Sequence, residues 1–341
     1  MECLSDVAEL EAVVGGQPLG SMLKSITEFD DHCRAIIAVA RAAVVGAPGA
    51  DGGLRSELIG GDAGFASVAG PTVLALEGGA GVEVEPGTPV GLVLLVPGLG
   101  ETLRVNGRLR ADGGVDAEEI YLHCAKAIIR SKFWKGGVGD GEPVAVDGDG
   151  PLADPEVLDI LGRSPFAVIT SHDGDGNADA SPKGDPAGFV RALDASTIAL
   201  PDRPGNHRTD TWHNIVVQPD VGVVLMVPGD DRVLELRGRA GLTTDDGVRI
   251  PMTMRDKTPK VALVVDVAHA EVRRSPVPAA ADLWDQTRNV DTSTLPRMAK
   301  VFTDHVKQNR TKGVAAAAAR KLVNAKVLEK GLEHDYAKNL Y

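Results

Sequence analysis

Cysteine is scarce in this 341-residue chain, aromatic residues make up only 4% of it, and positive charge is in deficit. The three cysteines, Cys3, Cys33 and Cys124, lie far apart without a Cys-x-x-Cys pair, so neither a disulfide framework nor a zinc site is supported. The net charge of −12 argues against a general binder of nucleic acid or membrane surfaces, because those partners attract an excess of Lys and Arg. A local basic pocket remains compatible with this composition.

Other absences narrow the choice further. The N-terminal stretch MECLSDVAELEAVVGG carries acidic residues where a secretory signal needs a basic start, and no apolar run reaches membrane-spanning length. We therefore expect a cytoplasmic protein. The sequence also lacks the Gly-rich dinucleotide fingerprint, the P-loop, HExxH and GxSxG, so the corresponding enzyme classes have no support.

The strongest positive feature is an internal repeat. Residues 90–110 recur at 221–241 with ten identities in 21 ungapped positions. Both copies read as an apolar strand, a Pro-Gly turn and an alternating strand that ends in Gly-Arg, which predicts a β-hairpin. The length suits two domains. We therefore predict a tandem repeat of two β-barrel domains.

The surrounding sequence sets the predicted boundaries. The first repeat spans 21–135, a Gly-, Asp- and Pro-rich linker spans 136–154, the second repeat spans 155–275 and a helical extension spans 276–341. Apolar spacing predicts a helix over 21–38 and another over 155–161, with strands following at 42–45 and 166–170. Within the extension, the charges of 326–338 are typical of an ordinary exposed helix surface.

The two copies differ in complementary ways. Between the strand that ends at Leu76 or Leu200 and the shared hairpin, copy one has 13 residues and copy two has 20, and the longer segment is the most basic of its copy. After the hairpin, copy one has a predicted helix over 120–134. Copy two instead has a predicted strand at 260–267, followed by prolines that interrupt any comparable helix.

Two segments of copy two could bind a ligand. Arg203 and Arg208 flank a Pro-Gly turn with Asn206 nearby, and two guanidiniums so placed suit a phosphate; an exposed, solvated loop is the open alternative. Ser181-Pro182-Lys183-Gly184 follows a strand and combines a hydroxyl, an ammonium and a glycine, which suits the rim of a planar heteroaromatic ring. A simple turn is the alternative, and copy one has Leu58-Ile59-Gly60-Gly61 there.

Taken together, SPKGDPAGF, DRPGNHRTD and the VGVVLMVPG hairpin resemble the FMN-binding split β-barrel family related to pyridoxamine-5′-phosphate oxidase. The segment HCAKAIIRSKFW at 123–134 resembles the helix that closes the domain in that family. The resemblance covers roughly 25–135 and 155–275 and implies an α+β, mainly β fold. It also implies a homodimer with two FMN sites at the subunit interface.

Because each copy lacks what the other keeps, we predict an intrachain pseudo-dimer with one FMN site. The resemblance implies an FMN-dependent oxidoreductase acting on a small molecule, either a monomer with an internal pseudo-dimer or a homodimer, with no catalytic residue assigned. The predicted cofactor-binding residues come from both copies: Ser181, Lys183, Gly184, Arg203, Asn206, Arg208, His123, Lys126, Arg130 and Trp134.

Alternatives remain open at this point. Cys124 and Trp134 also suit plain core packing. The chain could bind flavin, haem or a deazaflavin without turnover, because one fold hosts many functions. A haem would need a shielded histidine, with His123, His207 and His334 as candidates. A third hypothesis is an interaction scaffold whose sites have decayed.

Overall fold

Two curled antiparallel sheets of seven strands each make up most of the fold, seen in a computed structural model that describes residues 2–50, 52–135, 141 and 144–341. The strands of the first repeat are β1 (Ala42–Pro48), β2 (Leu54–Gly60), β3 (Ala66–Val68), β4 (Val73–Leu76), β5 (Pro89–Leu95), β6 (Thr102–Leu109) and β7 (Val115–His123). Those of the second are β8 (Phe166–His172), β9 (Ala178–Gly184), β10 (Arg191–Ala192), β11 (Thr197–Pro201), β12 (Asp220–Met226), β13 (Arg232–Thr243) and β14 (Ala262–Arg274).

Helices connect and cover the sheets. In chain order they are α1 (Val7–Val14), α2 (Leu19–Met22), α3 (Asp31–Ile37), α4 (Lys126–Ser131), α5 (Pro155–Arg163), α6 (Asp210–Val217), α7 (Asp246–Arg249), α8 (Val277–Ala280), α9 (Met298–Gln308), α10 (Val314–Leu322) and α11 (Ala325–Lys338). Among the described residues, no helix is both long and apolar enough to cross a membrane.

Both sheets have the same strand order, which confirms the predicted α+β, mainly β fold of two tandem split-barrel halves. The order is β2-β1-β5-β6-β7-β4-β3 in the first and β9-β8-β12-β13-β14-β11-β10 in the second, and each strand occupies the place of its counterpart. The predicted hairpin is present twice. Each copy also has a register shift at its Gly-Arg, before Gly107 and before Gly238, where a Cβ would collide with a backbone carbonyl.

The three largest apolar clusters of the described residues hold the molecule together. One lies within each sheet, and the third lies between the sheets. The third includes Val44 and Val93 of the first repeat and their counterparts Val168 and Val224 of the second, all fully buried. The alternation of β-strand side chains therefore serves both purposes, because one face fills the repeat's own core and the other fills the interface.

The contacts between the repeats follow an approximate two-fold symmetry. A Cβ on Gly91 would collide with the backbone of Asp179 and Ala180, while a Cβ on its counterpart Gly222 would meet Ser56, the counterpart of Ala180. The equivalent positions Gly46 and Thr170 contact each other directly. Such reciprocal contacts define an isologous interface, so the two repeats form the predicted pseudo-dimer within one chain.

Two helix predictions were too long, because strand pairing overrides apolar spacing in part of each range. Over 21–38 the structure has only α2 and α3, and Ile26 between them pairs with Ile120 through backbone hydrogen bonds of 2.8 and 2.9 Å. Over 120–134 the chain continues β7 through His123 before α4 begins at Lys126. Both repeats therefore have this last strand, since β7 and β14 are counterparts.

Two further predictions about the second repeat need correction. The prolines after β14 do not prevent a helix, because α8 begins beside them, where proline is tolerated at a helix start, and packs on β2 as α4 packs on β9. The strand register pairs Ala42 with Gly60 and Phe166 with Gly184, so Ser181–Gly184 corresponds to 57–60 and not to 58–61.

The chain ends also contribute to the two cores. Leu10 of α1 is buried in the core of the second repeat, and Leu4 donates a backbone hydrogen bond to Leu242. The predicted helical extension contains α8 to α11, and Val301 and Phe302 of α9 are buried in the core of the first repeat. Within the predicted linker, residues 136–140 and 142–143 lie outside the described residues.

Candidate functional site

A cavity of about 380 Å³ lies between the two repeats. The second repeat contributes the end of β9, the loop 201–209 and the start of α6, and the first contributes the end of β7 and α4. Eight of the predicted site residues line it: His123, Arg130, Ser181, Lys183, Gly184, Arg203, Asn206 and Arg208. Lys126 and Trp134 do not.

The cavity wall is cationic although the chain as a whole is acidic. Seven cationic side chains line it, Arg104, Arg130, Lys183, Arg203, Arg208, Lys257 and Lys260, against three carboxylates, Asp185, Asp202 and Asp210. Positive potential concentrated in a concave, partly desolvated site favours an anionic ligand.

Lys183 is a partly buried cation of the cavity wall that lacks a hydrogen-bonding partner among the residues that the structure describes. It is half-buried at the end of β9, and its Nζ lies 4.2 Å from the ring centroid of Trp212. Within the described part of the chain this ammonium has no hydrogen bond and no ion pair. Burial lowers the pKa of Lys183 to about 8, although Asp202 opposes the shift. A bound anion would supply the missing partner.

Arg203 is held from two sides. Its Nε donates to Asp185 at 2.7 Å and its Nη2 donates to the carbonyl of Met252 at 2.8 Å, which leaves Nη1 without a hydrogen-bond partner among the described residues. The second carboxylate oxygen of the buried Asp185, Oδ1, also has no partner there. A donor and an acceptor are thus both available at this end of the cavity.

Arg208 is fully engaged with neighbouring side chains. It donates to Asp210 at 2.6 Å, to Ser25 at 2.5 Å and to Glu119 at 2.7 Å, and its guanidinium carbon lies 3.8 Å from the ring centroid of Tyr121. Three of these four partners belong to the first repeat or its leading segment. Arg208 therefore joins the loop 201–209, here called the basic loop, to the other repeat. It is not presented to the cavity as a free cation.

The backbone of the basic loop is strained. His207 and Thr209 have φ angles of 58° and 54°, in the left-handed region that non-glycine residues seldom adopt. Asn206 stabilises this shape, because its side-chain oxygen accepts from the Arg208 amide at 3.1 Å and its carbonyl accepts from Ser21 at 2.7 Å. Such strain held in place by surrounding contacts is typical of ligand-binding loops.

His123 ends β7 at the cavity wall and is buried. Burial, with Arg104 and Lys183 nearby, moves its pKa well below the ordinary range, so the imidazole is neutral at pH 7. Arg104 Nη1 lies 3.5 Å from Nδ1, so Nδ1 is the acceptor and Nε2 carries the proton. Burial also raises the pKa of Cys124, which keeps this cavity-lining residue a thiol.

Three other predicted residues have structural partners. Trp134 is buried, donates to the carbonyl of Leu99 at 2.8 Å and packs against Phe133, as in the core-packing alternative. Arg130 donates to the carbonyls of Gly184 and Pro204 at 2.9 and 3.0 Å, which joins α4 to both ligand-binding segments. Gly184 itself is required by this contact, because a Cβ there would collide with the carbonyl of Ala127.

Sequence reasoning missed a buried ion pair between Arg104 of β6 and Asp179 of β9. Arg104 alternates with Leu103 and Val105, so its side chain lies on the face that the other repeat covers. The sequence does show a charged residue, Arg104, within an apolar strand. It does not show that the second repeat would cover this residue and supply Asp179 as its partner.

The arrangement does not recur on the opposite side of the pseudo-dimer. There the counterparts of Ser181 and Lys183 are Glu57 and Ile59, which cannot supply the same donors. The connection from β4 to β5, which the structure describes completely, also lacks a helix equivalent to α6. The site residues are therefore asymmetric within a nearly symmetric fold.

The fold therefore consists of two split-barrel halves with a cationic cavity between them. The family model described as Pyridoxamine 5'-phosphate oxidase matches residues 153–274. This match spans the second repeat, about a third of the chain, and confirms the resemblance to the pyridoxamine-5′-phosphate-oxidase-like split-barrel family noted from its motifs. No curated protein matches the chain at a significant level.

Solved structures of similar fold cover one repeat's length. HupZ of Group A Streptococcus is 17% identical over 36% of this chain and 94% of its own, with a TM-score of 0.31. An F420 reductase is 17% identical over 33% and 93%, with a TM-score of 0.26. The heme storage protein HutZ of Vibrio cholerae is 13% identical over 36% and 93%, with a TM-score of 0.25. Similarity at this level carries no argument about ligand or activity.

Proposed function

We propose that this protein binds one FMN in the cavity between its repeats and acts as an FMN-dependent oxidoreductase on a small-molecule substrate. The observation that carries the proposal is the unpaired ammonium of Lys183 in a cationic cavity whose walls come from both repeats. The family of the second repeat supports a flavin over other anionic ligands.

The polar groups of the cavity fit FMN chemically. Lys183 is placed to stabilise negative charge on a ring, and neutral His123 offers an N–H donor from Nε2. The unpartnered Oδ1 of Asp185 suits a ring or ribityl donor, and Nη1 of Arg203 suits a phosphate oxygen. When bound, FMN would supply the electron acceptor and donor that these side chains lack.

The role of Arg208 is redefined by its contacts. Because Asp210, Ser25 and Glu119 already occupy its donors, we assign it to shaping the loop, with Arg203 as the direct phosphate ligand. Substitution of Arg208 therefore acts on FMN binding through the loop backbone and the contact with the first repeat.

Flavin content per chain tests the proposal. Chain and flavin are quantified together after FMN loading, for the natural protein, Lys183→Met and Arg203→Ala, with Arg274→Ala as a matched surface control. We expect about one FMN per chain, with affinity lowered at least about tenfold in the first two variants and unchanged in the control. Two FMN per chain, or undiminished binding in both site variants, would contradict the single-site proposal.

Non-catalytic binding is the second candidate, and the tautomer of His123 bears on its haem form. A neutral His123 whose Nδ1 accepts from Arg104 has its proton on Nε2, so an iron ligand at Nε2 would require the proton to leave that nitrogen. His207 and His334 are exposed. The absorption spectrum of loaded protein separates flavin from haem and deazaflavin, and reduction of bound flavin by a nicotinamide separates turnover from storage.

A further inference from the structure

A segment distant in sequence reaches the candidate site. Tyr341 lines the cavity, with its ring centroid 5.6 Å from the guanidinium carbon of Arg203 and 5.1 Å from that of Arg255. Burial and the nearby carboxylate of Asp185 raise the pKa of Tyr341. Residues 335–341, here called the tail segment, therefore border the site beside Asp185 and Arg203.

Two cations of α4 hold the tail segment. Lys126, whose side chain is only 2% exposed, makes an ion pair of 2.9 Å with Asp335 and donates to the carbonyl of Asn339 at 2.9 Å. Arg130 donates to the carbonyl of Leu340 at 2.9 Å with the same guanidinium that binds Gly184. The closing helix thus joins the tail segment to the ligand-binding strand.

A third contact is made by Tyr336. Its hydroxyl accepts from the amide of Ala125 at 3.1 Å and lies 3.5 Å from Glu101. No residue of α11 is buried, and its packing against the first core comes from Leu328 and Leu332, which precede the tail segment, so the contacts of residues 335–341 themselves are mainly polar. Burying the Lys126 ammonium to hold an otherwise polar helix end is costly, which points to a purpose other than stability.

From these contacts we propose that the tail segment is the outer wall of the FMN site, held there by Lys126 and Arg130, and that it retains the bound cofactor. This inference rests on the proposed function. The cavity keeps about 380 Å³ with the segment in place, so the segment encloses the site rather than filling it. FMN then leaves only when the segment detaches, and Tyr341 is a ligand-contacting residue.

The experiment measures the rate of FMN release from the loaded full-length protein after dilution into excess apoflavodoxin-type scavenger. We compare the natural protein with a version that ends at residue 334 and with the variants Asp335→Asn, Tyr341→Ala and Tyr341→Phe. The variant Lys330→Met of α11 is the matched control. We expect release to accelerate at least about tenfold in the shortened protein, and measurably in Asp335→Asn and Tyr341→Ala. Tyr341→Phe and the control should release FMN at the natural rate.

The outcomes separate the two proposals. Failure of the full-length protein to take up FMN would refute the proposed function. If both proteins load normally, have equal melting temperatures and release FMN at equal rates, only the proposal that the tail segment is the outer wall of the site would be overturned. Tighter binding in the shortened protein would also overturn it, because the segment would then be a competitor. If shortening unfolds the protein, the Asp335 and Tyr341 variants, which change single partly buried side chains, decide alone.

Discussion

At the scale of single residues, Lys183 carries the chemistry of the site. The lining arginines have carboxylate or carbonyl partners, as Arg203 and Arg208 show, and Lys257 and Lys260 are exposed, whereas the half-buried ammonium of Lys183 has, among the described residues, only the ring of Trp212 beside it. The motif Ser181-Pro182-Lys183-Gly184 was sufficient to predict Lys183 as a site residue. The engagement of Arg208 could not be predicted, because Ser25 and Glu119 approach it only through the folding of the other repeat.

The pKa of Lys183, about 8, predicts the pH dependence of FMN binding. Below pH 8 the ammonium is charged and attracts the anion, and above it the affinity falls by up to about tenfold per pH unit. Isothermal titration between pH 6.5 and 9.5 measures this. Lys183→Met should bind weakly with a flat profile, and Lys183→Arg should bind without the decline.

The stability of the ligand-free protein provides an independent check. Since the folded-state pKa of Lys183 lies below its unfolded value, the unfolded chain binds more protons between pH 8 and the ordinary lysine range, and this residue's contribution to stability rises with pH there.

A Lys183→Met variant that retains the decline in FMN affinity would show that another group titrates.

At the scale of elements, the hairpins were predictable, whereas the start of α4 and the presence of α8 were not. The internal repeat predicted the hairpins β5–β6 and β12–β13, because the same hairpin pattern occurs twice in the sequence. The apolar spacing at 120–134 suggested a helix, yet Ile120 and Leu122 pair with β6 and fill the first core. Spacing alone cannot distinguish a short buried strand from a helix.

The contact between α4 and β9 yields a prediction for Gly184. A Cβ would collide with the carbonyl of Ala127, so Gly184→Ala should separate the two elements and lower the free energy of unfolding by roughly 1–3 kcal/mol. FMN affinity should fall as well, although no polar ligand is removed. Urea unfolding and FMN titration measure both.

Gly331 of α11 is the matched control, since a Cβ there meets nothing within 4 Å. Gly331→Ala should leave FMN binding unchanged and stabilise the helix slightly. Equal FMN affinity in Gly184→Ala and the natural protein would show that the spacing of α4 and β9 does not position the site.

At the scale of the whole molecule, the two repeats act as one folding unit. The third apolar cluster draws equivalent residues from both sheets, so either repeat alone would expose Val93 and Leu95, or Val224 and Met226. The pseudo-dimer itself was predictable from the internal repeat, although the expected loss of the closing helix in the second repeat was wrong because α8 occupies that place. The tail segment was not predictable, because Asp335 lies on a charged helix whose pattern gives no sign of a buried partner.

A divided chain tests this organisation. Fragments 1–143 and 144–341 should co-purify when produced together, and each should aggregate or unfold when produced alone, because the exposed interface is apolar. Analytical ultracentrifugation and FMN titration measure assembly. Val224→Asp should prevent it, and a fragment 144–341 that folds alone as a stable monomer would contradict the prediction.

The covalent connection through residues 136–154 has a final consequence. Two separate subunits find each other at a rate set by their abundance, whereas tethered halves see each other at an effective concentration on the order of millimolar. Dilution therefore leaves the fused protein assembled. A cell containing only a few copies of this polypeptide would still hold every copy in its complete, two-halved form.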